Sequence, residues 1–561
     1  MRHQVLGVLV GNTGNPNKLT MVMTSSLAGR RGEFVRITHQ ELPDEPPGDV
    51  LGRIVGIARF NALFNTGMGS AVTDLELMPG AKVTGESLIG TIEVVGFNDP
   101  KTGGIRMPRR ALDPGAKVQT VDYQFLSAFY EFDEQTGLHL GNLVGYDRGE
   151  NVVPVYLDVA RLVTEHLAVL AMTGAGKSYT VGRIIERLVA LHNGTVVVFD
   201  PHGEYGKALA GGTLQFADED EELDDPRDKR VIPHIRETLV RLAGMGGGVM
   251  VCTPQMPAFR HKYAGTNKEL ALQFDHFEMD DIAEILPGLT EPQQRVLDVA
   301  IRYWRTVDKT EPRDINRLRH FLGDGLDELH AWDELTQAEA NALNGRSAAV
   351  ASMKLSRVLA EAQAFYSAAL SAPTNIYDLT GRPSERFGRL VIVDLQGLSD
   401  TAKQIVTALI SSEILHAATS KTDPIRPCFL VYEEGHSFAP AGEAAVSHRI
   451  IKKIAGEGRK FGVGFAIVSQ RPSKLDPDVT SQCNTLITMR LKNPDDQRFI
   501  AKTSDMVSQA DLEELPSLST GEALVFGRSI TAPLLVKIGR KALLHGGQSP
   551  DVLKMWGRAI G

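Results

Sequence analysis

One ten-residue stretch restricts the possible folds more than any other: AMTGAGKSYT, from Ala171 to Thr180, with the apolar run HLAVL before it and VGRIIERLV after it. In the second flank Val181, Ile184, Ile185 and Leu188 recur at helical spacing. A strand that turns through glycine into a helix leaves backbone N–H groups free to wrap phosphate oxygens, at the positive end of the helix dipole. Gly174 and Gly176 supply the open backbone, Lys177 the neutralising charge, and Ser178 a hydroxyl suited to magnesium. Thr173, Ala175 and Tyr179 complete the expected nucleotide-binding set. A glycine-rich turn without a ligand is the competing reading, and the strand before and helix after it argue for the phosphate loop.

Three further apolar runs end in acids: TVVVFD at Asp200, LVIVD at Asp394, and FLVYEE at Glu433 and Glu434. Continuous rather than alternating apolarity marks strands covered on both faces, so the expectation is an α/β fold with a doubly wound parallel sheet. In such sheets ligands sit beyond the carboxyl ends of the strands, which sends all of these acids toward the loop. Hydrolysis of a nucleotide's phosphoanhydride needs one carboxylate for the magnesium shell and another for the attacking water. Only CFLVYEEGHSF offers two adjacent ones. Glu433 is therefore assigned to magnesium with Ser178, and Glu434 to the water, unless one of the two merely caps the next segment. Asp200, followed by Pro201 and Gly203, either lines the site or holds a turn. The strand GFAIVSQ ends at Gln470, an amide placed to sense the γ-phosphate and the water. Arg459, in IAGEGRKFG, suits a solvent-presented arginine inserted into a neighbour's nucleotide site, although an ordinary basic turn reads the same way. The implied cofactors are ATP and Mg2+.

Composition bounds the partners. Lys plus Arg number 60 and Asp plus Glu 69, a net charge of −9 over 561 residues, which excludes a diffuse basic coat for nucleic acid. Locally the sign reverses: Arg449 to Lys502 carries eleven basic and five acidic residues, or +6. Three scattered cysteines form neither a disulfide framework nor a zinc pattern, and no apolar run reaches about 18 residues, so a cytoplasmic chain with no membrane partner is expected. Short β-branched runs broken by glycine fill residues 1–150 and suggest a small β-barrel, whereas the prolines of MPRRALDPGAKV argue against a central strand at Met107–Val118. The α/β core is expected over residues 151–215 and 372–545. Residues 216–371 between them read as a helical insertion, opening on ADEDEELDD and carrying a capping-box spacing at Thr290 and Gln293. Residues 546–561 form a tail.

AMTGAGKSYT, VVVFDPHGEY, VYEEGHSFAP, GEGRKFGVGFAIVSQRP and PSLSTGEALVFG, in that order, resemble the HerA-type ATPases of the HerA–FtsK superfamily. The resemblance runs to about Lys537 and implies a RecA-like P-loop core with an N-terminal β-barrel of the HerA and ATP-synthase kind. It further implies a homo-hexameric ring that pulls double-stranded DNA through its pore, paired with a nuclease of the NurA type. Carried onto these positions, Lys177 and Ser178 bind ATP and magnesium, Glu434 is the catalytic glutamate, Gln470 the sensor and Arg459 the finger acting across the subunit boundary. Ala171 and Gly435 stand where relatives usually have glycine and alanine, and both swaps are expected to preserve activity. An alternative within the same resemblance is an ATP-controlled ring scaffold for a nuclease or sirtuin-like effector in antiphage defence. A small-molecule kinase would lack the separate barrel.

Overall fold

The computed structural model describes residues 4–11, 17–24, 29–39, 48–61, 86–99, 104–109, 111–130, 134–147, 152–217, 225–254, 263, 267–271, 286, 288–308, 315–362, 374–442, 445–504 and 506–546. The first seven strands are β1 (Val5–Leu9), β2 (Lys18–Met23), β3 (Phe34–His39), β4 (Gly48–Asn61), β5 (Glu86–Asp99), β6 (Gly104–Arg106) and β7 (Lys117–Thr120). They pair in the order β2-β1-β7-β3-β4-β5-β6, and a further β2–β5 pairing closes six of them into a barrel. Leu19, Met21, Val35, Ile37, Leu51, Ile54, Ile92 and Val118 are all buried, and most of them fill its interior. The long strand β4 escapes a simple alternation pattern because Gly52 and Gly56 lie at its shifts of register against β5. The proline argument holds only as far as Ala116: β7 begins at Lys117 and pairs centrally between β1 and β3.

The second sheet contains β8 (Gly137–Leu143), β9 (Pro154–Asp158), β10 (Leu167–Leu170), β11 (Thr195–Asp200), β12 (Val249–Thr253), β13 (Asn267–Glu269), β14 (Arg389–Asp394), β15 (Cys428–Glu433), β16 (Val463–Ser469), β17 (Thr485–Met489), β18 (Glu522–Gly527) and β19 (Leu534–Ile538). Their order is β13-β12-β14-β11-β15-β16-β10-β17-β18-β19-β8-β9. Pairing is parallel from β13 to β17 and antiparallel from there to β9. Successive residues of β11 and β15 enter opposite cores, Val197, Phe199, Leu430 and Tyr432 on one face and Val196, Val198, Phe429 and Val431 on the other. This double burial is why those strands read as unbroken apolar runs.

Two segments differ from the sequence reading. β8, glycine-broken like the barrel strands, belongs to the large sheet, where Gly141 lets it press against β19: a Cβ there would lie 2.0 Å from the Lys537 carbonyl oxygen. β12 and β13, inside the stretch read as helical, extend the sheet beyond β14, and the helix Pro226–Gly244 belongs to the core on its face. The helix Glu291–Thr306 is capped by Thr290, whose N–H donates to Gln293 Oε1 at 3.1 Å, and buries Val296, Leu297, Ala300, Ile301 and Trp304. The acidic run at 218–224 and the tail at 547–561 lie outside the described residues.

Buried charge fixes the helix that follows the phosphate loop, Lys177–His192. Asp228 accepts from Arg183 at 3.1 Å and from Arg187 at 2.9 Å, and Arg183 also donates to the Leu140 carbonyl of β8. Glu186 accepts from the backbone N–H groups of Ala542 and Leu543, which pins the segment after β19 to the same helix. Despite its burial, Asp228 is held far below the usual carboxylate range by Arg183, His139 and Arg187. Asp228→Ala strands two buried guanidiniums and is expected to lower stability by about 3–5 kcal/mol. Urea unfolding measures this against Arg230→Ala, whose exposed pair with Glu134 should be nearly silent.

Candidate nucleotide site

β10 lies between β16 and β17, and the loop that leaves it is tied to both: Ala171 N–H donates to the Ser469 carbonyl at 3.1 Å and Met172 N–H to that of Arg490 at 3.0 Å. Gly174 and Gly176 adopt φ of +77° and +105°, a region that side chains rarely enter. The late motif PSLSTGEALVFG buttresses the loop from the antiparallel side. Gly521 N–H donates to the Ala175 carbonyl at 3.1 Å, and Lys537 Nζ secures the turn through the Thr520 carbonyl at 3.0 Å.

The first residue of the loop helix, Lys177, projects between the adjacent acids at the end of β15. Its ammonium contacts Glu433 Oε1 and lies 3.1 Å from Glu434 Oε1. Burial opposes the charge on Lys177, but Glu433 and Glu434 outweigh it and hold the ammonium firmly protonated. Burial pushes Glu433 up to about 7, against the pull of Lys177 and of the Tyr205 hydroxyl, which donates to Glu433 Oε2 at 2.6 Å. Glu434 has φ of +54°, an uncommon backbone state for a non-glycine residue and of the kind that clusters at functional sites. Its Oε1 also accepts from Gln470 Nε2, whose own Oε1 accepts from Thr173. Its Oε2 is buried and has no hydrogen-bond partner. Beside it, His436 Nδ1 lies 3.1 Å from Ser469 Oγ and 3.4 Å from Glu434 Oε2, and burial lowers the affinity of that ring for a proton.

The structure thus brings Thr173, Lys177, Glu433, Glu434 and Gln470 together. Gly435 follows them because its position is full: a Cβ would lie 2.3 Å from Ile467 Cγ1. Asp200 faces its own turn, accepting from the N–H groups of Gly203, Glu204, Tyr205 and Gly206. Burial and the nearby Asp394 raise it to about 6. That turn aims Tyr205 at Glu433, a role that passes unnoticed in VVVFDPHGEY because it depends on the fold of the turn. Tyr179 faces the C-terminal segment, accepting from Lys541 N–H at 2.9 Å and packing edge-on against His545. Arg459 lies at the opposite end of the sheet, before β16, where it pairs with Glu165 at 3.0 Å. The seven residues of β16, at about 3.3 Å each, put it roughly 23 Å from Gln470, beyond the reach of an arginine into its own site.

Two carboxylates meet one ammonium at the strand ends, and no described residue hydrogen-bonds the Ser178 hydroxyl, so the residues present fit a divalent cation beside a phosphate chain. If Glu433 must be ionised for turnover, kcat falls as pH drops through about 7. Tyr205→Phe removes a donor to the ionised form and is expected to move that acid limb to higher pH, which a pH–rate profile reads directly.

Residues 138–414 match the family described as helicase HerA, central domain. The DNA double-strand break repair helicase HerA of Pyrococcus furiosus is 28% identical over 569 residues, covering 94% of this chain and 92% of its own. A probable DNA double-strand break repair helicase HerA of Methanocaldococcus jannaschii is 28% identical over 500 residues, covering 84% and 89%. Among solved structures, the bacterial conjugative coupling protein TrwBdeltaN70, in its trigonal form with sulphate, shares the fold with a TM-score of 0.50 at 15% identity, over 76% of this chain and 93% of that one. The family match over residues 138–414 and these relatives, aligned over most of both chains, support a HerA-type ATPase.

Proposed function

We propose that the protein is a homo-hexameric motor that hydrolyses ATP to translocate or unwind double-stranded DNA, working with a nuclease of the NurA type at DNA ends. The observation that carries the chemistry is the buried Oε2 of Glu434, which accepts no hydrogen bond and has only His436 Nδ1 beside it at 3.4 Å, while the other carboxylate oxygen is fixed by Lys177 and Gln470. That oxygen orients the attacking water and takes its proton as the γ-phosphoryl group is transferred. Gln470, held between Thr173 and Glu434, carries the state of the γ-phosphate to the base. The loop N–H groups and Lys177 cradle the phosphates, and Ser178 and Glu433 would hold magnesium, which supplies charge neutralisation to the β- and γ-phosphates.

The DNA side of the proposal is supported by relatives described as repair helicases and by the locally basic Arg449–Lys502 stretch. Within it Lys452, Arg459 and Arg498 pair with Asp478, Glu165 and Asp495, while Arg471 lines the pocket beside Glu434 and Gln470. No helix among the described residues is long and apolar enough to cross a membrane.

Lys177→Ala is expected to abolish ATP binding, whereas Glu434→Gln keeps binding and lowers kcat at least about a hundredfold. Normal turnover by Glu434→Gln would overturn its assignment to the water. On a hexamer-sized particle the ATPase rate should rise with linear double-stranded DNA and lose that stimulation as salt increases. A rate indifferent to DNA would instead fit a ring whose ATP site controls assembly with a nuclease or sirtuin-like effector.

A further inference from the structure

Glu165 lies at the end of the sheet remote from the phosphate loop and has only 7% of its side chain exposed. Two exposed arginines from distant parts of the chain converge on it. Arg459 Nη2 lies 3.0 Å from Oε1, with 59% of the arginine side chain exposed; Arg528 Nη1 lies 3.7 Å from Oε2, with 63% exposed. Oε2 has no hydrogen-bond partner. One carboxylate cannot neutralise two guanidiniums, so the pair keeps a net positive charge on side chains more than half exposed.

The support beneath this pair is rigid. The next residue, His166, adopts φ of +61° and stacks on Phe465 with ring centroids 4.3 Å apart, while burial keeps its imidazole neutral. Glu165 itself is fixed through its backbone, its carbonyl accepting from Asn484 N–H at 2.9 Å. Arg528 N–H donates to the Asn484 carbonyl at 2.8 Å, and the Arg528 carbonyl accepts from Arg161 Nη1 at 2.9 Å. At Gly527 a Cβ would lie 2.0 Å from the Asn484 carbonyl oxygen, so the turn presenting Arg528 has one tight geometry. Preorganised charge of this kind is what binding a polyanion through two guanidinium forks requires.

Neither arginine can serve its own nucleotide. β18 begins beside the phosphate loop, where Gly521 touches Ala175, and runs its six residues to Gly527 at the far end, next to Thr485. Arg528 is therefore about 20 Å from its own loop at roughly 3.3 Å per residue, as Arg459 is from Gln470. A phosphoryl group in transfer spreads its charge over three oxygens, more than one guanidinium fork can cover.

We propose that Arg528 is a second catalytic residue acting with Arg459 on the phosphates of the nucleotide in an adjacent copy of the chain, and that Glu165 is the positioning residue that sets both. This rests on reading Arg459 as a group that acts across the subunit boundary. The partner is a nucleoside triphosphate in a second copy, and the alternative source of phosphate, the DNA backbone, is separated by the test.

The test is ATPase activity of full-length rings, alone and mixed, with assembly checked by mass and folding by circular dichroism. Arg528→Ala is expected to lower DNA-free kcat at least about tenfold while leaving binding of a fluorescent ATP analogue unchanged, and Arg528→Gln gives the same reading should the alanine variant fold poorly. Glu165→Gln lowers kcat with KM unchanged, and Glu165→Asp restores part of it. Arg528→Ala subunits mixed with Glu434→Gln subunits should regain activity, because sites form that combine an intact Glu434 from one with an intact Arg528 from the other. The mixture of Arg459→Ala with Glu434→Gln runs alongside. Recovery there but not with Arg528→Ala would overturn this inference alone; recovery in neither would overturn the trans reading on which it stands. An Arg528→Ala ring with normal DNA-free kcat that loses only its DNA stimulation would assign the arginine to the DNA backbone and overturn the proposal.

Discussion

A buried ammonium placed between two buried carboxylates is the contact on which the rest of this structure depends. Isolated, none of Lys177, Glu433 and Glu434 could be charged at its depth without a large desolvation cost. Together they offset part of that cost because a helix N-terminus and a strand C-terminus meet at one point. That meeting requires β10, β16 and β15 to run parallel in adjacent positions, with their carboxyl ends level. Parallel neighbours require long connections, and those connections are the helices that bury both faces of the sheet. The same demand explains the unusual backbone of Glu434: a helical or extended residue there would aim its carboxylate elsewhere, and Gly435 lets the chain turn tightly against Ile467.

The opposite face of the loop helix solves a different problem. Arg183, Glu186 and Arg187 are as deeply buried as an apolar core, yet each meets charged or backbone partners from β8, the helix at Asp228 and the segment after β19. Such a network contributes little net stability compared with an apolar core of equal volume. It does fix orientation, since an arginine fork accepts its partners in few geometries. The helix that carries Lys177 is in this way registered against both the antiparallel strands and the C-terminal segment. The barrel is registered against the core by the same device, Arg53 meeting Glu93 of the barrel and Asp511 of the core.

What could be read from the sequence divides along physical lines. The phosphate loop, the paired acids and Gln470 were legible because each depends on a few neighbouring residues whose chemistry survives in any context that places them at strand ends. β4 and β8 were not, because their glycines erase the periodicity by which a strand is recognised, nor was β12, which is only five residues long. Tyr205, His436 and the Thr520–Lys537 buttress act only through contacts made across the sheet, so no local pattern announces them. Asp200 shows the converse: its residue type and its place at a strand end suggest the site, but four backbone donors claim its oxygens.

The sheet places complementary chemistry at its two ends. At the carboxyl ends of the parallel strands two buried carboxylates meet one ammonium; at the other end, two arginines extend from a single buried glutamate. A single chain cannot bring these ends together, because the strands between them are rigid and about 20 Å long. Head-to-tail association joins one end to the other without distorting either, and repeated with a closing rotation it gives a ring. In such an arrangement hydrolysis at any site depends on how two subunits are docked, so a change of docking and a change of nucleotide are two descriptions of one equilibrium. In the proposed ring, the rigidity that keeps a subunit from completing its own site would let ATP turnover do mechanical work between subunits.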